Sequence, residues 1–519
     1  MKKISLMLFM GVMVLASSCK KYLDINDNPN EATYSTAELL LPQALTGTAS
    51  NVNGYNSMGA QLGGYMANAG GYGGFGTAIT YNFSAGDFAA RWSTTYDNLE
   101  DYKAILDYTE GKPEQGYFNA VARIMKAHGF QLLVDTYNDV PYTEALQGAD
   151  NLTPAYDKAE DIYKDLADQL DMAIATIHET ETATGVQELG AADVMFGGDM
   201  DKWLQFANTL KLRIILRANG KVTFSNTTFD PAGFLDTDAL VDPGYTRDNG
   251  KQNPKWNTWG WGYDGTEGNK AWMPNTFVVA FYNGQKLTDD GRGEALYYKF
   301  PTTPTNRLGI ESNNVEKSPS GSFWYPSDSR DGKTAGGASG ALKGPSAPMP
   351  IITAAESFFM QAEAAVRGLI TGDAKSLFEQ GIYESYRYLY TEEDGSLMAD
   401  PMEGFQEYLD ANPTSYLVNF DLAASTEQKL EAILTQKYIA LNFVNSDQSW
   451  NDYRRTGYPK INSAAGATGV QTFASSVSES TRPDRLPGRI LYPSTEGSYN
   501  SANVPRNITV FNNTIFWAQ

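Results

Sequence analysis

The feature that most constrains the fold is residues 116–146, GYFNAVARIMKAHGFQLLVDTYNDVPYTEAL. Phe118, Ala122, Met125 and Leu132 recur at helical spacing with Val121 beside them. Leu132, Leu133 and Val134 then make an end that is apolar all round, and NDVP closes the pattern. A helix of this kind cannot lie on a surface and has to be enclosed by other helices.

Further segments have the same character. TAELLLPQA at 36–44 predicts a short first helix that Pro42 kinks or ends. Residues 50–85 are rich in Gly, Asn and Tyr; Met58, Leu62, Tyr65 and Met66 share a helical face, whereas Gly70 to Gly76 require loop or very close backbone packing. Residues 92–108 place Trp92, Tyr96, Leu99, Tyr102, Ile105 and Leu106 on one broad face. Thr153 and Pro154 make an N-cap and first-turn pair for a helix carrying Ile162, Leu166, Leu170 and Ile174. Gly197-Gly198-Asp199 precedes a helix over 202–218 with Trp203, Phe206, Leu210, Ile214 and Ile215 inside. Helix is sparse over 220–350 and resumes at 351–369, with Phe358, Ala362, Ala365 and Val366 aligned, and at 373–389, with Phe378, Ile382 and Tyr386. Ser425 and Gln428 form a capping box for a helix whose inward face holds Leu430, Ile433, Leu434, Tyr438 and Leu441. The chain from 446 to 519 is mostly irregular. Helix pairs of this length fit a mainly α, tetratricopeptide-like stack, but the connections far exceed its period of about 34 residues, so spacing alone leaves an irregular all-helical body open.

The N-terminus reads as an address. MKKISLMLFMGVMVLASSC has Lys2 and Lys3, an apolar run from Ile4 to Ala16, and small residues before Cys19, the one cysteine of the chain. The apolar run falls short of the roughly 20 residues of a membrane span. LASSC resembles a bacterial lipobox, so 1–18 is expected to be a lipoprotein signal peptide, Cys19 the lipidated residue, and 19–35 a polar tether to one body over 36–519. Membrane attachment is then by lipid anchor only. Forty basic against sixty-one acidic residues, a net charge of −21, exclude a chain built to bind nucleic acid or an anionic bilayer surface.

Catalytic materials are scarce. His128 and His178 are the only histidines, and His128 lies in the organising helix. With no cysteine in the body, neither structural zinc nor a Cys-His or Ser-His nucleophile can be assembled, and we expect no catalytic residue, metal or cofactor. Asp135, Asp139 and Glu144 near the DVP turn fit caps and turn positions as well as a carboxylate pair of a glycosidase. Asp24, Asp27 and Asn28 are oxygen ligands without EF-hand spacing, a weak calcium candidate. The stronger signal is aromatic. KWNTWGWGYDG at 255–265 supplies Trp256, Trp259, Trp261 and Tyr263 among glycines and polar groups. Aromatic faces stack on the C–H faces of sugar rings, so these residues, with Trp324 and Tyr325 and with Tyr72, Phe75 and Tyr81, are candidates for a ligand platform. The alternative is core packing, for instance a short strand burying Trp259 and Trp261 on one face.

CKKYLDINDNPN at 19–30, DTYNDVPYTEAL at 135–146, GGDMDKWLQFANTLKLRIILRA at 197–218, AAESFFMQAEAAVRGL at 354–369, QKYIALNFVNSDQSWNDYRRTGYP at 436–459 and RILYP at 489–493 together resemble the SusD/RagB-like family of outer-membrane nutrient-binding lipoproteins. The resemblance implies about four tetratricopeptide-like helix pairs (mainly within 92–218 and 351–445), a large irregular ligand-binding region at 220–350, and a surface lipoprotein at the outer membrane rather than an enzyme. It further implies glycan oligosaccharides as ligand and a SusC-like TonB-dependent transporter as partner, with peptides or another nutrient as the alternative and a glycoside hydrolase less favoured. Ligand contacts vary among members, so no binding residue transfers to a named position. Arg454 and Arg455 are expected to tie the last helix to the C-terminal segment through carboxylates or carbonyls.

Overall fold

The computed structural model describes residues 35–311, 314–464 and 466–519. The signal peptide, Cys19, the tether up to residue 34 and the Asp24, Asp27, Asn28 group lie outside the described residues.

The fold is a mainly α assembly of paired, tetratricopeptide-like helices with a minor irregular β part. Helices α1 (Ala37–Leu62), α2 (Ala90–Thr109), α3 (Gly116–Tyr137), α4 (Ala159–Glu181) and α5 (Met200–Arg217) each pack on the next. After the short α6 (Pro254–Trp259) come α7 (Ala354–Val366), α8 (Ala374–Tyr390), α9 (Pro401–Ala411), α10 (Thr426–Ala440) and α11 (Ser446–Thr456). Helix α7 packs on α5, α8 and α10, and α11 returns to α1. Two small antiparallel ladders lie between: β1 (Met66–Asn68) on β3 (Trp272–Pro274), and β2 (Ala239–Val241) on β4 (Met349–Ile352). No described helix is long and apolar enough to cross a membrane.

Helix α3 is buried all round from Phe130 to Tyr137, as its all-apolar end requires, while Asn119, Arg123, Lys126 and Gly129 form a half-buried stripe nearer its start. Its last turn holds Asp135, which accepts hydrogen bonds from Arg217, Tyr163 and the Trp517 indole N–H. Burial opposes the charge of Arg217, yet Asp135 outweighs it and keeps the guanidinium above its ordinary value.

The proline and the glycines of α1 are not breaks. Pro42 lies in the second turn, where its missing N–H leaves only the carbonyl of exposed Glu38 without an intrahelical partner. The glycines allow contact: a Cβ on Gly59 would lie 2.1 Å from the Asp447 backbone nitrogen, and one on Gly54 would overlap the Arg91 guanidinium. The helix therefore runs to Leu62, and Met66 belongs to β1 instead of the same helix face. Thr153 and Pro154 lie in a loop; α4 starts at Ala159, capped by Asp139, which accepts from the Ala159 N–H at 3.1 Å. Ser425 caps α10 as the sequence suggests, and Asp199 and Asp373 cap α5 and α8.

Helix α7 is rotated from the expected face. Phe359 and Ala362 are buried, while Phe358, Ala365 and Val366 are half-buried. The rotation turns Glu356 and Glu363 inward, where Glu356 meets Arg213 at 2.8 Å and Glu363 meets both Arg455 amino groups at 2.6 and 2.8 Å. Arg454 donates to the carbonyls of Asp135 (2.6 Å) and Gly488 (3.2 Å). Both arginines thus act in the scaffold, with Arg454 fastening α11 to α3 and the C-terminal segment.

Candidate binding surface

Of the six aromatic side chains expected to face a ligand, five are in the core. Trp256, Trp259 and Trp261 are 1% exposed, Trp324 is 0% and Tyr81 is 1%. The idea of a Trp platform at these five positions is corrected accordingly, and the physical reason lies in what their rings touch. Trp324 stacks on Phe443 at 4.4 Å with 4° between planes, and Trp259 meets Phe443 edge-on at 5.2 Å. Tyr325 packs edge-on against Trp256 at 5.5 Å and Trp261 at 5.2 Å. Phe443 sits in the turn between α10 and α11, so these rings fasten the irregular region to the helical scaffold. Beneath them the Lys255 ammonium donates to the carbonyls of Phe443 (2.9 Å) and Val444 (3.1 Å). Burial, helped by Lys343, pushes Lys255 down to about 7. Nor is the stretch a strand: Asn253 caps the Lys255 and Trp256 N–H groups, and Pro254 opens α6. Tyr81 is fixed on the far side, where its hydroxyl accepts from the Ser475 N–H at 3.2 Å.

The sixth, Tyr263, is 52% exposed. Two residues after buried Trp261 the chain leaves the core in a tight turn, in which the Gly262 N–H donates to Thr266 (2.7 Å) and the Gly265 N–H to Gly262 (3.0 Å). Gly265 adopts φ +85°, a conformation open to glycine. Glu267 and Lys270 then pair at 2.8 Å, and Glu267 accepts from the Gly321 N–H at 3.2 Å. Burial pushes the Glu267 carboxyl up, but Lys270, Ser320 and Gly321 outweigh it and hold it below the usual carboxylate range.

Tyr72, 44% exposed, lies on the glycine-rich loop next to this one. The Ala69 N–H donates to Ala271 (2.8 Å) and the Gly70 N–H to Glu316 (2.9 Å), while Phe75 packs edge-on against Trp272 at 5.4 Å. The Ser318 hydroxyl joins the third loop to the second by donating to Lys270 at 2.7 Å. Three loops are thus hydrogen-bonded to one another and carry two exposed tyrosines, with Asn269, Lys317 and Lys333 also exposed on or beside them. Those polar residues carry no motif, so nothing in the sequence alone distinguishes them.

A cavity of about 380 Å³ at the ends of α5 and α11 is lined in part by Arg217, Arg367 and Arg455. These cations are engaged by Asp135 and Glu363. Among the described residues no three His, Cys, Asp or Glu side chains are placed to hold a metal ion. His128 is buried, and burial with the nearby Arg213 pushes it down to about 3, so it is neutral and part of the core.

Two family profiles match this chain: "Starch-binding associating with outer membrane" over residues 29–231, and "Susd and RagB outer membrane lipoprotein" over residues 327–514. The chain belongs to the SusD/RagB-like family. As a SusD-like protein it is a non-catalytic, nutrient-binding protein of the outer membrane. Its fold is shared with a SusD homologue from Bacteroides fragilis, at 20% identity and a TM-score of 0.65 over 93% of this chain and 100% of that one. A SusD homologue from Bacteroides uniformis matches at 24% identity and a TM-score of 0.64, covering 92% and 99%. A protein described as chitin-binding matches at 21% identity and a TM-score of 0.62, covering 93% and 99%. None of the curated proteins matches this SusD-like chain.

Proposed function

We propose that this SusD-like protein binds glycan oligosaccharides at the loop face carrying Tyr72 and Tyr263 and passes them to a SusC-like TonB-dependent transporter. Residues 1–18 act as signal peptide, lipidated Cys19 is the anchor, 19–35 is the tether, and 36–519 form one binding body. The observation that carries the glycan assignment is the exposure of the two tyrosines on loops held rigidly by backbone hydrogen bonds. A flat, half-exposed ring gives a sugar C–H face an apolar surface at little conformational cost, and the flanking amide, ammonium and carboxylate groups can bond its hydroxyls. Neutral ligands suit a chain of net charge −21, which repels polyanions.

Affinity electrophoresis of the folded protein against a panel of neutral polysaccharides, followed by calorimetry on oligosaccharides, tests this. Retardation by at least one glycan, weakened in a Tyr72→Ala, Tyr263→Ala double variant, is the expected result. Retardation by none overturns the glycan assignment, and binding of a peptide library instead moves the ligand to peptide on the same scaffold.

A further inference from the structure

The cavity at the ends of α5 and α11 has more positive charge in its wall than the scaffold uses. Arg217, Lys221, Arg367 and Arg455 all line it. The carboxylates that pair with the arginines lie in the core: Asp135 takes Arg217, Glu363 takes both Arg367 and Arg455, and Asp452 takes Arg455 a second time. All three acids are buried. Their charge is divided further, because Asp452 also pairs with Lys437 at 2.9 Å.

Three sets of donors remain. Arg367, directly after α7, gives its Nε–H to Glu363 at 2.7 Å, and neither of its amino groups has a partner among the described residues. The Lys221 ammonium, exposed in the turn after α5, has none either. The Arg455 Nε–H is also without a partner, on a side chain only 8% exposed. A buried donor of this kind is a group waiting for an acceptor. One atom brings the two guanidinium groups together: Arg367 Nε and Arg455 Nη1 donate to the same Glu363 oxygen, at 2.7 and 2.6 Å. Tyr458 in the same wall is near enough to feel the Arg367 charge. Elsewhere the wall is apolar or aromatic, with Leu216, Leu430 and Trp517. A volume of about 380 Å³ exceeds what an inorganic ion fills and suits a single ring.

We propose that this cavity binds a ring compound carrying one carboxylate, the carboxylate on the Arg367 amino groups and the Lys221 ammonium, the ring against Trp517, Leu216 and Leu430. The two amino groups of a guanidinium match the two oxygens of a carboxylate, which a neutral ligand cannot reproduce. A single charge also meets less repulsion than a polyanion from a chain of net charge −21. A sugar acid and an aromatic acid share this chemistry. The cavity shares no residue with the loops of Tyr72 and Tyr263, so the site does not rest on the glycan assignment above.

Calorimetry on the detergent-solubilised full-length protein tests this, with glucuronate and benzoate as probes, glucose and benzyl alcohol as their neutral counterparts, and acetate as a carboxylate without a ring. At least one ring acid should bind about tenfold tighter than its neutral counterpart. The tighter of the two acids identifies the source as a sugar acid or an aromatic acid. Arg367→Gln should abolish the preference for the acid, and Lys221→Gln should reduce it about threefold. Lys221 is exposed and unpartnered, so Lys221→Gln remains decisive if Arg367→Gln does not fold. Equal affinity for acid and neutral counterpart in both pairs, or a preference unchanged in Lys221→Gln, overturns the site. Acetate binding as tightly as both ring acids overturns the ring ligand and leaves an adventitious ion only.

Discussion

Trp261 and Tyr263 are two residues apart and meet opposite fates, 1% against 52% exposed. Around Trp261 the glycines remove side chains: a Cβ on Gly321 or Gly332 would lie 2.3 or 2.6 Å from the indole, so both backbones press directly on its ring. After it, Gly262 and Gly265 make the turn that lifts Tyr263 out. The same composition, glycine interleaved with aromatics, builds a fastener on one side of a turn and a presentable ring on the other. An aromatic-rich stretch is therefore evidence for a ligand site only at positions where the backbone leaves the core.

The sharpest way to break this contrast is to remove a ring from the fastener. Trp324→Ala should destabilise the fold by about 3–5 kcal/mol, because the cavity left against Phe443 has no side chain free to fill it. Chemical denaturation checks this, and a loss below about 1 kcal/mol would mean that the ring is not part of the core. Next comes the floor of the fastener. Lys255 titrates near 7 when folded and near about 10.4 when unfolded. Between those values the folded chain binds fewer protons than the unfolded one, so Lys255 contributes stability that is full above about 10.4 and lost as pH falls through about 7. Stability should accordingly rise with pH across that window, and Lys255→Met should reduce the slope by up to about 1.4 kcal/mol per pH unit. Lys286 and Lys343, also pushed down to about 7 by burial, keep part of the rise. An unchanged slope in Lys255→Met would show that water reaches the ammonium under the rings.

Much of the scaffold was legible because the 3.6 period and local caps are properties of contiguous residues. The helices at 92–108, 202–218 and 373–389, and the cap Ser425, all depend on neighbours within a few positions. What stayed hidden depends on partners far along the chain. Helix α4 starts at Ala159 because Asp139 caps it from the preceding turn, and α1 tolerates its glycines because α11 and Arg91 fill the space. Helix α7 faces inward through Glu356 and Glu363, which a hydrophobic pattern places outside, because Arg213 and Arg455 wait for them. Helix α9 escaped notice although Asp400 caps it and Pro401 opens it, since of its residues only Pro401, Gly404 and Tyr408 are buried. At the candidate surface, residue type marked the aromatics as worth attention. Only the fold separates Tyr72 and Tyr263, which face water, from Trp256, Trp259, Trp261, Trp324 and Tyr81, which do not.

The smallest expected effect tests the other half of the contrast. Among the described residues Tyr263 makes no ring contact with another aromatic side chain, and its turn is held by backbone hydrogen bonds and by the Asp264 carboxylate, which accepts from the Thr266 N–H at 2.9 Å, so Tyr263→Ala should leave stability within about 0.5 kcal/mol of the parent. Its ring is nonetheless the most exposed aromatic surface of the three-loop face, and its loss should weaken oligosaccharide binding about fivefold, ~1 kcal/mol. Denaturation and calorimetry on the same sample separate the two quantities. Stability lost together with binding would make Tyr263 a packing residue like Trp261, and the contrast would collapse. Binding unchanged at unchanged stability would move the sugar platform to Tyr72 and Phe75, on the glycine-rich loop, where Tyr72→Ala repeats the comparison.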